Sequence, residues 1–159
     1  MRLRLFLGIV CLYLVIAALV FYRSAEAINV PNTGCMGMGS ANTLTVAINN
    51  AGASTNLKLV SKVSAKKIYI CAINVGPVAA AVNVALVDGT LTTNACDTST
   101  AGLAGGATAA TGWQFAANSG LTLGDGNGLV AGPAATNTDV CLFFSAGVQV
   151  SGTITYAQF

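Results

Sequence analysis

Apolar residues alternate with polar ones along much of the chain, and this two-residue period constrains the fold more than any other feature. Residues 43–48 alternate in this way, and residues 148–156 repeat the pattern near the carboxyl end. Successive side chains of a strand point to opposite faces of its sheet, so both segments predict strands with one buried face. Beyond residue 27, no segment has the apolar spacing of an amphipathic helix.

Two other segments predict strands that are covered on both faces. Residues 67–75 are apolar on both alternations, and residues 82–87 form a second apolar run. A Gly-Pro dipeptide at 76–77 separates them, so we expect the two strands to form a hairpin. An Asp-Gly dipeptide at 88–89 predicts a turn, and the Thr-, Ala- and Gly-rich residues 90–111 predict a long loop.

Further short strands at 57–63, 112–115, 129–130 and 139–144 bring the expected number to about eight. Short strands separated by Gly, Asn and Asp predict an all-β fold, either a β-sandwich or a jelly-roll-like barrel of antiparallel strands. We expect a single all-β domain over residues 43–159, preceded by an extended arm or loop at 28–42 that contains Pro, Asn, Gly and Met.

The first 27 residues have the pattern of a secretory signal peptide. A basic start is followed by an apolar run over residues 5–22 and by an Ala-Glu-Ala sequence at 25–27 that suits a signal peptidase. Cleavage after Ala27 would leave an exported protein, in a periplasm, outside the cell or on a cell or virion surface. The alternative is an uncleaved anchor, since 18 apolar residues can just span a bilayer. We expect membrane contact through this segment alone.

Charge is scarce beyond residue 27, where the chain has four lysines, four aspartates, no arginine and no glutamate. This balance excludes the basic footprint of a nucleic-acid binder. The absence of histidine from the whole chain excludes a Ser-His-Asp triad and a histidine metal ligand. All four lysines lie within residues 58–67, which favours a solvated edge strand over a phosphate or glycan site.

The aspartates offer little for catalysis. Asp88 and Asp125 adjoin glycines, Asp97 follows a cysteine in the predicted loop, and Asp139 opens a strand. Aspartate is favoured in turns because it bonds to nearby backbone, so we interpret these residues as local anchors and not as a catalytic pair. The sequence therefore predicts a protein that is not an enzyme and has no metal or cofactor.

Four cysteines remain after Cys11, which lies in the signal segment: Cys35, Cys71, Cys96 and Cys141. An even number in an exported chain predicts two disulfides, for which three connectivities exist. We favour Cys96–Cys141 and Cys35–Cys71. The long spacings and the lack of a C-x-x-C pair argue against a zinc site.

Trp113 is the single tryptophan, and it alternates with Phe115 in a short apolar segment. An indole ring can stack on a sugar, so Trp113 is a candidate ligand-stacking residue. Packing in the core explains the same alternation, and we favour it.

Residues 67–71 (Lys-Ile-Tyr-Ile-Cys) and 82–90 (Val-Asn-Val-Ala-Leu-Val-Asp-Gly-Thr) belong to a longer pattern. It continues through 111–118 (Thr-Gly-Trp-Gln-Phe-Ala-Ala-Asn) and closes with Asp-Val-Cys-Leu at 139–142 and the strand at 148–156. The pattern resembles a family of small β-rich proteins from the structural regions of tailed phages and prophages. The resemblance implies a role on a virion surface, with no catalytic motif. The export segment also allows a bacterial relative or a prophage-derived product displayed outside the cell.

Near-zero net charge promotes association, and short Thr, Ser, Ala and Val side chains lose little rotamer entropy when an interface covers them. We therefore expect a non-enzymatic, exported structural or surface protein that packs with copies of itself or with a scaffold. The alternative function is a small carbohydrate-binding module that uses Trp113.

Overall fold

The computed structural model describes Cys35 and residues 43–52, 54–126 and 128–159. The predicted signal peptide at 1–27 and, apart from Cys35, the predicted arm at 28–42 lie outside the described residues. The strands are β1 (Thr43–Ala51), β2 (Asn56–Val60), β3 (Ile68–Val75), β4 (Val82–Thr90), β5 (Thr98–Ala104), β6 (Trp113–Phe115), β7 (Leu121–Leu123), β8 (Asp139–Phe144) and β9 (Gln149–Gln158), with a short 3-10 turn at Ala109–Thr111.

The strands form two antiparallel sheets. The first sheet has the order β1-β9-β3-β7, and the second has the order β2-β8-β4-β5, with β6 also paired to β4. The chain crosses between the sheets at each connection except those from β4 to β5 and from β5 to β6. Because β5 and β6 both lie beside β4, the nine strands fill eight positions, in the connectivity of a jelly roll. The predicted all-β fold is confirmed.

One hydrophobic core lies between the sheets. The largest side chains in it are less than 2% exposed and come from both sheets: Ile48, Ile68, Ile70, Ile73, Val84, Leu86, Leu142 and Ile154. The alternation seen in the sequence positions them, since Val84 and Leu86 are separated along β4 by Ala85, which faces the other side. β3 and β4 are buried along most of their length, as their apolar composition predicts.

The predicted turn at 88–89 is wrong, because β4 continues through both residues to Thr90. The Asp88 side chain is buried inside the domain, and Gly89 pairs with Asp139 of β8. A Cβ atom on Gly89 would lie 2.9 Å from the carbonyl oxygen of Cys96. The glycine therefore permits close packing of a neighbouring segment and does not mark a change of direction.

The predicted hairpin of β3 and β4 is also wrong, because these strands lie in different sheets. The connection between them crosses the core, where Val78 is 1% exposed. The backbone N–H of Gly76 donates to the carbonyl of Ser151, which holds the start of the crossing against β9. The Gly-Pro dipeptide follows the end of β3, as predicted, but it does not indicate which sheet the chain enters next.

Residues 90–111 are not one long loop, since they contain β5 and the 3-10 turn. β5 pairs with β4 through an irregular register that shifts at two places. Its side chains are mostly exposed and do not alternate between apolar and polar. Main-chain hydrogen bonding to β4 defines this strand, and the periodicity of side chains cannot report it.

Candidate functional site

The described aspartates have separate structural environments and do not form a pair of carboxylates around a cleft. Asp88 and Asp139 are buried, whereas Asp97 and Asp125 are exposed on loops. The Asp139 Oδ1 atom accepts from the backbone N–H of Lys62 at 2.7 Å, so it ties the β2–β3 connection to the start of β8. The interpretation as a local anchor is confirmed for Asp97, whereas Asp88 and Asp139 accept from backbone N–H groups far along the chain.

Asp88 anchors the loop that precedes β8. Its Oδ2 atom accepts from the backbone N–H of Ala135 at 2.6 Å and from the Thr138 hydroxyl at 3.0 Å. The same hydroxyl also lies 2.7 Å from the carbonyl oxygen of Ala135, which closes the turn. The Oδ1 atom of Asp88 is buried and has no hydrogen-bond partner within the described residues. One carboxyl oxygen therefore fixes a turn of the neighbouring loop, which stabilises the end of the sandwich.

Asp97 organises the loop between β4 and β5. Its carboxylate accepts from three successive backbone N–H groups, those of Thr92 at 2.7 Å, Thr93 at 2.8 Å and Asn94 at 2.7 Å. Such a concave run of N–H groups can bind an anion, but here the chain's own carboxylate occupies it. The bonds from Asn94, Thr93 and Thr92 lower the pKa of Asp97 from 3.8 to about 2.

A second, smaller apolar cluster lies on the outer face of the second sheet. Its buried members are Ala85, Val87, Cys96 and Cys141, and Phe143 packs against them. Residues 91–97 supply the cover, since Cys96 belongs to this loop and forms a disulfide with Cys141 of β8. The loop is held at its other side by Asn56, whose side-chain amide donates to the carbonyl of Ala95 at 3.2 Å.

The second disulfide joins Cys35 to Cys71, with the Cα atoms 5.5 Å apart. Cys71 lies at the irregularity of β3, where the register with β9 shifts between Ile70 and Ala72. Both cystines have the pairing that the sequence analysis favours. Two disulfides are compatible with an oxidising, exported environment.

One of the four lysines lies on an edge strand of the second sheet, and the other three lie in the connection that follows it. Lys58 is on β2, whose only sheet partner among the described strands is β8, and Lys62, Lys66 and Lys67 follow in the connection to β3. All four are exposed. β2 is an edge strand that carries Lys58, as predicted, but the other three lysines lie beyond its end and not on the strand.

Trp113 lies on β6 and is half-buried against the core. A Cβ atom on Gly105 would lie 2.5 Å from the indole Cδ2 atom and 2.7 Å from Cε2, so the Gly105 backbone packs directly against the ring. This placement favours the packing interpretation of Trp113, because the indole already supports the end of β5.

The described residues contain no group of three or more His, Cys, Asp or Glu side chains that could hold a metal ion. Within the same part of the chain, no helix is long and apolar enough to cross a membrane.

The distribution of charge is the feature of the surface that bears most directly on function. Outside residues 58–67, the exposed charged side chains in the described part of the chain are Asp97 and Asp125. The carboxylate of Asp97 is already occupied by backbone N–H groups. The rest of the described surface is composed largely of Thr, Ser, Asn, Ala and Gly side chains.

Sequence reasoning missed Thr138, the side-chain partner of Asp88. The two residues are 50 positions apart, and their contact depends on the jelly-roll crossing that brings the loop before β8 to the end of β4. No local pattern reports such a contact. A buried Asp in an otherwise apolar strand was the available signal, because a carboxyl group in that position needs hydrogen-bond donors from elsewhere.

Comparisons with protein-family models, with curated proteins and with solved structures found no match to this chain.

We predict that Asp88→Ala lowers the free energy of unfolding by about 1–3 kcal/mol more than Asp88→Asn does. Alanine leaves the part-buried N–H of Ala135 without its acceptor, whereas asparagine keeps a side-chain oxygen in the same place. Urea unfolding of both variants at neutral pH measures the difference. Equal losses would contradict the assignment, because they would mean that the acceptor oxygen does not hold the turn.

We predict that Asp97→Asn makes stability less sensitive to acid. The folded-state pKa of Asp97 is about 2, below the ordinary value of 3.8. Its contribution to stability is therefore complete above about pH 4 and is lost as the pH falls toward 2. Thermal unfolding between pH 7 and 2 should show a smaller acid-dependent loss in Asp97→Asn than in the wild type.

If Asp97→Asn and the wild type lose stability in parallel over this pH range, the three N–H groups do not favour the ionised carboxylate.

Proposed function

We propose that this protein is a non-enzymatic, exported structural protein whose jelly-roll domain packs against copies of itself or against a scaffold. The observation that carries the proposal is the surface, which outside residues 58–67 exposes two charged side chains in the described part of the chain. A soluble domain of this size ordinarily exposes many more, because about a quarter of average residues are charged.

An uncharged surface of short side chains is suited to burial between proteins. Charged residues are depleted at the centres of interfaces, because each ion must be stripped of water when the partner arrives. Short side chains such as Thr, Ser and Ala have few rotamers to lose, so ordering them at an interface costs little. Both effects lower the free-energy cost of association for this surface.

The fold supports the same function. Jelly rolls occur in viral capsid proteins and in lectins, and both kinds of protein present rigid strand faces and end loops to a partner. The sequence pattern of residues 68–159, which resembles that of phage structural proteins, favours a virion role over a lectin role. One fold serves many functions, so the fold is compatible with the proposal while the surface carries it.

The placement of the polar groups supports a structural role over a catalytic one. Asp88, Asp97 and Asp139 each have a carboxyl group engaged with backbone N–H groups. The two disulfides join segments that are 36 and 45 residues apart, which restricts the unfolded chain and supports persistence outside the cell. These features stabilise the domain and leave its surface available for packing against a partner.

Sedimentation velocity over a range of concentrations tests the proposal, together with negative-stain electron microscopy. The full chain is expressed in an export-competent host, so that both disulfides can form before purification. We expect discrete homo-oligomers or regular assemblies that grow with concentration. A monomer at every concentration would overturn the proposal of self-packing.

A glycan array distinguishes the carbohydrate-binding alternative. Binding to a glycan that is lost in Trp113→Ala and retained in Phe115→Ala, in a protein that stays monomeric, would replace the structural function with a lectin function. A protein that assembles and binds no glycan would support the proposal.

A further inference from the structure

Within the described part of the chain, β1 is a long and regular edge strand. It lies at the end of the first sheet and is hydrogen-bonded to β9 alone among the described strands. Its pairing with β9 runs without a shift from Thr43 to Ala51, over nine consecutive residue pairs. Such a strand leaves alternate backbone N–H and C=O groups directed away from the sheet, where they can pair with another strand.

The other edges of the sandwich are protected in ways that β1 is not. β2 has five residues, carries Lys58 and shifts register between Lys58 and Val60. β7 and β6 have three residues each, and β5 is irregular at two places along β4. Short length, lysines and bulges are the usual devices that prevent edge-to-edge pairing. β1 has no charged residue, no proline and no bulge.

The side chains of β1 also suit an added strand. On its outer face, Thr45, Ala47 and Asn49 are exposed and small. On the opposite face, which includes the buried Ile48, Leu44 is 56% exposed and Val46 is half-buried. A neighbouring strand would cover these two apolar side chains and would meet no charge on either face.

We propose that β1 is the self-association edge of this protein, and that it pairs antiparallel with β1 of a second copy to join two first sheets into one eight-stranded sheet. This inference rests on the proposed function and assigns a surface to it. A pairing centred on Ala47 gives the longest overlap, with Val46 opposite Ile48 and Thr45 opposite Asn49 of the second copy. At the centre of this pairing, apolar residues face apolar residues and polar residues face polar ones, whereas Leu44 lies opposite Asn50 near each end.

The lysines favour the antiparallel arrangement. Thr43 of β1 pairs with Ala157, and Lys67 exchanges backbone hydrogen bonds with Phe159, so the lysine segment lies level with the Thr43 end of β1. A parallel pairing of two β1 strands would place both lysine segments at the same end of the joined sheet. An antiparallel pairing places them at opposite ends, where their mutual repulsion is smaller. The two-fold symmetry of such a contact also closes it as a dimer.

Ala47→Lys tests the edge directly, because two such lysines would lie opposite each other at the centre of the pairing. Thr153→Lys is the matched control, since Thr153 pairs with Ala47 from β9 and is exposed, but lies one strand in from the edge. In sedimentation experiments on the full chain, we expect Ala47→Lys to weaken the dimer contact at least about tenfold. Thr153→Lys should assemble like the wild type.

If the wild type assembles and the two lysine variants assemble equally well, the edge assignment is overturned while the proposed function stands. If the wild type does not assemble at all, the edge assignment and the proposal of self-packing are both overturned. Circular dichroism and thermal unfolding establish that Ala47→Lys is folded.

Hydrogen exchange of the wild type provides a second test that needs no variant. Alternate β1 amides, those directed away from β9, should exchange quickly in dilute protein and slowly in concentrated protein. Exchange of these amides that does not depend on concentration in an assembled sample would overturn the inference.

Discussion

The disulfide between Cys96 and Cys141 holds in place the loop that covers the outer apolar face of the second sheet. Strands that are apolar on both alternations cannot leave either face in water, and β4 and β8 bury Val87 and Cys141 on the face opposite the core. A jelly roll has no helix to cover that face. The loop at 91–97 covers it instead, and the disulfide fixes this loop to the sheet. The loop therefore belongs to the packed structure, although its composition resembles that of a surface linker.

Buried and loop carboxyl groups hold two loops in place in addition to the disulfides. Asp97 gathers three N–H groups of the covering loop, and Asp88 fixes the loop before β8 through Ala135 and Thr138. Because carboxyl groups are used for backbone anchoring, few remain to form a charged surface. The same arrangement that stabilises the sandwich thus leaves a surface of short uncharged side chains, and that surface supports the proposed packing role.

The period-two pattern predicted the strands that pack one face against the core, such as those at 43–48 and 148–156, and the favoured cysteine pairing is the one that the structure contains. Three predictions failed because they depended on tertiary contacts. β4 passes through Asp88, where distant donors bond to one oxygen of the carboxyl group. β5 is defined by backbone pairing to β4, and the chain after β3 crosses the core where a hairpin was expected. Local turn residues mark the end of a strand but not the sheet that the chain enters next.

The most direct test of this account is the Cys96→Ala/Cys141→Ala variant, measured by urea unfolding together with hydrogen exchange of residues 91–97. Loss of a disulfide that joins residues 45 positions apart should lower the free energy of unfolding by about 3–4 kcal/mol. The amides of Thr92, Thr93 and Asn94 should also lose protection, because the loop would leave the outer face. Unchanged stability and unchanged exchange in this loop would contradict the claim that the disulfide holds the cover in place.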